Sequence, residues 1–375
     1  YSLVTPDQLE EQGIFMLKRF SLISLLLFFL PPAFALESVV LQLKWTHQFQ
    51  FAGYYMAVEK GFYERAGLDV SIIPADIEDP DTHFKVLSGQ AHFGVTHSGI
   101  LAERLQGKPL VAIAAMLQSS PYCWMVKADS DIYNPVDFKG KRVSHLGVAE
   151  LMLMLEQAGV GKDDISLYAG FEPIADFKAG KFDALQVYTS NEPFEMQQQG
   201  IEIRQICPKQ YGLNLYADIL FTSENVLLHR PELVEKFKQA SLQGWRYAML
   251  HLQESVEVTH RKYATHKSVE QIAYEAEKLR PYIAPPGVTI GNMSELHWRW
   301  IGQIYGLDMA QYDAVRERFI YELKQSEPIL PWSWMLIAAC AVTLFSIPLY
   351  LHLIFTKKRR YKLNESAQEN KNEVE

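Results

Sequence analysis

The sequence predicts a bilobed α/β protein carrying a cleavable leader at one end and one transmembrane helix at the other. Three observations carry that prediction. Short β-type apolar runs alternate with amphipathic helical stretches in two successive series. Two long apolar runs sit near the termini, leaving a middle of ordinary water-soluble composition. Over 375 residues, 48% hydrophobic and 21% charged side chains suit one or two folded domains and exclude a disordered or collagen-like chain.

Taken in chain order, residues 1–15 carry no targeting logic and read as a non-native or over-extended leader. Met16-Leu17-Lys18-Arg19 then forms a basic start, 20–30 is uncharged, and Pro31-Pro32 leads to Ala33-Phe34-Ala35. That is the build of a signal peptide over 16–35, with Leu36 as the first mature residue. The run is too short to cross a bilayer comfortably.

The first α/β series predicts strands at 39–45, 68–73, 91–96 and 110–117, with helices at 53–65, 82–88 and 98–106. The second predicts strands at 141–145, 184–188 and 201–206, with helices at 148–158, 172–179 and 192–199. Such alternation specifies mostly parallel sheets with helices on both faces. Another apolar run appears at 216–222, and the pattern from 231 to 323 is almost entirely helical. A hinge at 125–129 and a return at 217–223 divide the middle into lobe 1 (36–128 with 222–327) and lobe 2 (129–221). Ligands of such proteins sit between the lobes, at the carboxyl ends of strands and the amino ends of helices.

Residues 332–355 carry no charge, enough for one tilted transmembrane helix over 331–355. Trp332 and Trp334 are interfacial anchors, and Lys357-Lys358-Arg359-Arg360 places the following end in the cytoplasm. The stub 356–375 is too short for a signalling domain and resembles the start of a longer helix. The expected location is therefore the cell membrane, single-pass, with the lobes in the periplasm or outside the cell.

A net charge of −8 gives no reason to expect a nucleic-acid partner. Cys123, Cys207 and Cys340 are too few and too scattered for a disulfide scaffold, and they lack the spacing of a zinc or iron–sulfur site. Whether Cys123 and Cys207 pair is open from sequence. His47, His92, His97 and His145 are dispersed, so no metal or other cofactor is expected, and no P-loop, GxSxG or HExxH motif is present.

The stretch LQLKWTHQFQFAGYYMAVEKGFYERAGLDVSI (41–72) resembles the opening of the thiamine-pyrimidine family of type II periplasmic binding proteins. The resemblance continues through LSGQAHFGVTHSGILAERLQGKPLVAIAAMLQSSP (87–121), DFKGKRVSHLGVAELMLMLEQAGV (137–160), FKAGKFDALQVYTSNEP (177–193) and YADILFTSENVL (216–227). It implies the bilobed periplasmic-binding fold and a small heterocyclic ligand such as a thiamine-precursor pyrimidine, with alkylsulfonate binders as relatives. It also implies one of two settings, uptake through an ABC permease or signalling to a cytoplasmic partner. The absence of a lipobox Cys after the signal and the C-terminal span favour the sensor build.

Candidate ligand groups follow from chemistry at strand and helix ends. His97 and Ser98 close a strand and open a helix, where backbone N–H groups and a hydroxyl receive an anionic or carbonyl oxygen, and Gly147 and Glu150 stand at the matching place in the other lobe. Trp45, Phe49 and Tyr54 belong to an aromatic cluster suited to flat rings, although helical spacing sends part of it to the core. Gln48, Gln118 and Ser119 offer neutral hydrogen bonds. Tyr188, Asn191 and Glu192 end a second-lobe strand, and Glu192 or Asp218 would suit an exocyclic amine, while a helix-terminal charge and a hinge contact explain them equally well.

The family also includes a fungal enzyme making hydroxymethylpyrimidine phosphate, which uses a lysine, a histidine and a cysteine-rich motif. Those positions fall at Thr96, Ile100 and Gly212 to Tyr216 here, and none retains the residue type. The sequence therefore predicts a non-catalytic binder, with the synthase as the alternative.

Overall fold

The computed structural model describes residues 35–76, 79, 81–170 and 172–321. The predicted leader, nearly all of the signal peptide, the span at 331–355 and the stub lie outside these residues. Among the described residues no helix is long and apolar enough to cross a membrane.

Among the described residues ten strands run in chain order as β1 (Glu37–Gln42), β2 (Leu68–Ile73), β3 (Phe93–Thr96), β4 (Leu110–Leu117), β5 (Tyr122–Lys127), β6 (Arg142–Ser144), β7 (Ser166–Leu167), β8 (Ala184–Tyr188), β9 (Ile203–Ile206) and β10 (Ala217–Ser223). They form two five-stranded sheets, ordered β2-β1-β3-β10-β4 and β7-β6-β8-β5-β9. β10 runs antiparallel to β3 and β4, and β5 antiparallel to β8 and β9, while β1, β2 and β3 are parallel, as are β6, β7 and β8. Each sheet thus receives one reversed strand at a crossing between lobes.

The helices are α1 (Ala52–Glu59), α2 (Phe62–Arg65), α3 (Thr82–Leu87), α4 (Ile100–Leu105), α5 (Ala149–Gln157), α6 (Pro173–Lys178), α7 (Glu192–Gln198), α8 (Glu224–His229), α9 (Pro231–Leu250), α10 (Leu252–Val258), α11 (Val269–Ile283), α12 (Glu295–Ile304) and α13 (Met309–Phe319). The single helix expected over 53–65 breaks in two because Gly61 takes a left-handed φ of 65°. Caps lie where the sequence supplies them: Asp81, Ser223, Ser268, Ser294 and Asp308 each accept from a backbone N–H of the following turn. α1 and α9 cross in very close contact, and a Cβ on Gly53 would stand 2.0 Å from the Trp245 ring. β4 is an edge strand yet fully buried, and its outer edge is met by Tyr321 N, which donates to Ala112 O at 2.9 Å, and by a bridge between Ala115 and Gly291.

The strand pairing moves both predicted lobe boundaries by one strand. β5 belongs to the second sheet and β10 to the first, so the chain crosses at 118–121 and again at 207–216 rather than at 125–129 and 217–223. β5 escaped the sequence reading because Pro121 and the polar residues around Asp129 made its apolar run look like a connection. Within β5 the side chains alternate: Trp124 and Val126 enter one buried cluster, Cys123 and Met125 the other.

Cys123 and Cys207 form a disulfide, 84 residues apart in sequence. Strand register explains the pairing, since Trp124 faces Ile206 in the antiparallel β5–β9 pair and puts the two cysteines next in line. One bond within one sheet is not a scaffold, but it fastens the second lobe beside both crossings. Replacing both cysteines by alanine, or reducing the bond, is expected to lower the unfolding free energy by about 2–5 kcal/mol in urea titrations. An unchanged midpoint would mean the bond contributes nothing in solution.

Candidate functional site

The parallel strands of both sheets end toward the interlobe cleft, and the reversed strands begin there. Ile219 pairs with Thr96, which sets Asp218 beside the end of β3, and Tyr122 pairs with Tyr188, the last residue of β8. Lys44 follows β1 and points its Nζ to 2.5 Å from Asp218 Oδ1, with side chains only 12% and 2% exposed. Gln50 donates to the same carboxylate oxygen at 2.9 Å, and Tyr188 Oη donates to Oδ2 at 3.4 Å. Among the described residues Asp218 is the one non-glycine with positive φ, 48°, a conformation that costs energy and concentrates at functional positions.

Two rings complete this centre. Tyr122 and Tyr188 meet edge to face with centroids 5.1 Å apart, and Lys44 Nζ stands 5.8 and 5.9 Å from them. Burial works to lower the Lys44 ammonium but is outweighed by the charge of Asp218, with Tyr122 and Glu150 adding to it, so Lys44 is held above its ordinary range. Burial, then the charge of Asp218, pushes the Tyr188 phenol well up and keeps it a neutral donor.

Glu150, in the first turn of α5, is buried and accepts from Ser120 Oγ at 2.7 Å. Burial raises its carboxyl above the usual range, against the opposing pull of Ser120 and Lys44. Ser98 is buried and shares a 2.8 Å hydrogen bond with Tyr305 Oη rather than holding a free hydroxyl. His97 follows β3, where desolvation, then the charges of Lys44 and His83, lower its imidazole to about 4. Its Nδ1 accepts from Gly99 N at 3.0 Å.

A second lysine spans the cleft. Lys267 Nζ stands 2.5 Å from Glu275 Oε1 and donates to Gln48 Oε1 at 2.9 Å and, from the opposite lobe, to Asn191 Oδ1 at 3.1 Å. Glu275 Oε2 accepts from Phe49 N at 2.8 Å. Glu192, the first residue of α7, reaches back to the end of β8, where its Oε2 accepts from Tyr188 N at 2.8 Å, and burial raises its carboxyl.

The sequence-derived candidates therefore separate. Trp45 is 53% exposed beside Lys44, a large ring left in water at the end of β1. Gly147 caps the β6–α5 loop with a φ of 92° and open space around it, its neighbours Leu146 and Val148 donating to Gln186 Oε1. Tyr188, Asp218 and Glu150 converge on Lys44, while Gln48, Asn191 and Glu192 gather around Lys267. Phe49 and Tyr54 are corrected to core residues, because the turn Phe49–Phe51 and α1 direct them inward and Tyr54 packs edge-on against Trp245. Gln118 is spent on the backbone of Ala115 and Asn292, and Ser119 accepts from Lys209 at the crossing. Sequence reasoning missed Lys44, Gln50, Ser120, Tyr122, Lys267, Glu275 and Tyr305. Only Lys44 left a signal, a charge inside an otherwise apolar strand end.

The synthase positions carry other chemistry here. Thr96 Oγ1 is hydrogen-bonded to His83 at 2.9 Å, Ile100 is core, and Leu213, Leu215 and Tyr216 are buried. Beside the cleft, Gly147, Met152, Ile165 and Tyr305 help line a cavity of about 530 Å³.

The sequence pattern of the family described as NMT1/THI5 like matches residues 48–255, more than half of the chain. The chain belongs to the NMT1/THI5-like family. Similar relatives include the riboflavin-binding protein RibY of Chloroflexus aurantiacus, 27% identical over 218 residues that cover 56% of this chain and 62% of that protein. The formylaminopyrimidine-binding protein of Halalkalibacterium halodurans is 27% identical over 253 residues, 64% of this chain and 76% of that one. This family member thus spans less than two thirds of the riboflavin-binding protein it matches. Among solved structures, the periplasmic aliphatic sulphonate binding protein SsuA of Escherichia coli superposes with a TM-score of 0.61 at 16% identity, over 78% of this chain and 94% of that one. That likeness establishes the periplasmic-binding-protein fold.

The Lys44–Asp218 pair gives a direct test of the site's construction. Lys44→Met leaves a buried carboxylate without its cation and is expected to cost about 3–5 kcal/mol of stability. Lys44→Met combined with Asp218→Asn should cost clearly less than the two single changes together in denaturation cycles. Additive losses would contradict the coupling.

Proposed function

We propose that this protein is a non-catalytic extracytoplasmic binding protein that holds a small heterocycle, a thiamine-precursor pyrimidine or a close analogue, between its lobes. One observation carries the reading: Lys44, Asp218, Tyr122 and Tyr188, from both lobes, meet where the two sheets face each other, with Glu150 behind them and Trp45 beside them. Flat rings bind between such aromatics, and carboxylates suit the amino group of an aminopyrimidine.

Two relatives whose names state a pyrimidine or a flavin as ligand support a ring-shaped ligand. The disulfide supports an oxidising compartment outside the cytoplasm. The ligand is passed to an ABC permease, or its capture is signalled through the C-terminal span to a cytoplasmic partner; the uncharged run 332–355 with its basic flank favours tethering and the second setting. Trp45, Gly147, Glu150, Tyr188, Asn191, Glu192 and Asp218 are the residues assigned to the ligand, together with Lys44 and Tyr122.

A thermal-shift series tests the reading. 4-Amino-5-hydroxymethyl-2-methylpyrimidine should raise the melting midpoint with a saturable dependence on concentration. Alkylsulfonates and aromatic acids should leave it unchanged. Stabilisation by no aminopyrimidine at all would remove the assignment.

A further inference from the structure

The cleft holds more carboxylates than cations. Its two enclosed lysines are each committed to an acid, Lys44 to Asp218 and Lys267 to Glu275, both at 2.5 Å and both with lysine side chains only 12% exposed. Glu150 and Glu192 remain: one accepts from Ser120 and the other from a backbone amide, and among the described residues neither has an ion-pair partner within 4.0 Å. His97 adds no positive charge at neutral pH. A third lysine, Lys209, is exposed at the crossing, where it donates to Ser119 Oγ at 3.2 Å and lies over the Tyr282 ring. The hydroxyl that a phosphate or sulfonate would seek at the end of β3, Ser98, is occupied by Tyr305.

An anionic ligand entering this space would have to take a lysine from a buried carboxylate and lie close to Glu150, leaving charge unpaired in a water-poor setting. A neutral or protonated ring meets no such cost, since a carboxylate accepts N–H donors directly. We propose that the cleft admits uncharged or cationic heterocycles and rejects phosphorylated and sulfonated ones, with Glu150 and Glu192 as the groups that discriminate. This rests on the pyrimidine reading and narrows it to the unphosphorylated form. It also separates this chain by charge from the sulphonate binder that shares its fold.

The test compares two compounds that differ by one phosphoryl group, 4-amino-5-hydroxymethyl-2-methylpyrimidine and its phosphate monoester, by calorimetric titration of the full chain. The alcohol is expected to bind at least about 100-fold more tightly than the ester. Glu150→Gln should shrink that ratio to about 10-fold or less, whereas Glu150→Asp, which keeps the charge, should retain most of it. Glu192→Gln provides the same comparison should Glu150→Gln lower the melting midpoint. Binding of the ester as tightly as the alcohol would overturn the inference and leave the pyrimidine reading standing. A ratio unmoved by both glutamine variants would overturn the roles of Glu150 and Glu192. Failure of both compounds to bind would remove the pyrimidine reading, and this inference with it.

Discussion

The ion pair of Lys44 and Asp218, both in the first lobe, is the contact on which the candidate site is built, and the second lobe's Tyr122 and Tyr188 close over it. Lys44 comes from just past the first strand, Asp218 from the second residue of β10 as the chain leaves the second lobe, and the rings over the lysine from the second sheet. An ammonium and a carboxylate both shielded from water persist only if each has its partner, so the pair fixes where β10 must begin. The left-handed backbone at Asp218 fits that demand: the conformation is unfavourable for an aspartate, and the pair with Lys44 and the hydrogen bond from Gln50 hold it.

Topology turns one contact into a site. Because each sheet takes a reversed strand from across the crossing, the start of β10 lies beside the ends of β1 and β3, and the start of β5 beside the end of β8. Side chains far apart in sequence are thereby delivered to one small volume. The crossings are short and tied by backbone hydrogen bonds, Gln118 N to Tyr282 O and Thr189 N to Pro121 O among them, and the disulfide secures the neighbouring strands. Lys267 adds a hydrogen bond from one lobe to the other at Asn191. Relative motion of the lobes on ligand capture would have to exchange such contacts, as hinged binding proteins do.

Most of the fold could be read from the chain. Alternating apolar runs gave eight of the ten described strands their approximate places, with β5 and the two-residue β7 escaping as connections; β5 was lost because its flanks are turn-like. The site was less legible for a physical reason. Glu150, Tyr188 and Asp218 stood out as polar groups at element ends, but pairing across 174 residues of sequence, as between Lys44 and Asp218, leaves no local periodicity to detect. Aromatic residues misled in the other direction: Phe49 and Tyr54 look like ring-stacking groups, yet the same hydrophobicity sends them to the core once the first helix turns inward. The disulfide was invisible until β5 and β9 were placed side by side.

The claim that a ligand bridges both lobes at the Lys44–Asp218 centre is open to hydrogen–deuterium exchange with and without 4-amino-5-hydroxymethyl-2-methylpyrimidine. Ligand should slow exchange together in segments 43–51 and 217–220 of the first lobe and 146–151 and 187–192 of the second. Protection confined to one lobe, or to the cavity lined by Met152 and Ile165, would contradict an interlobe site.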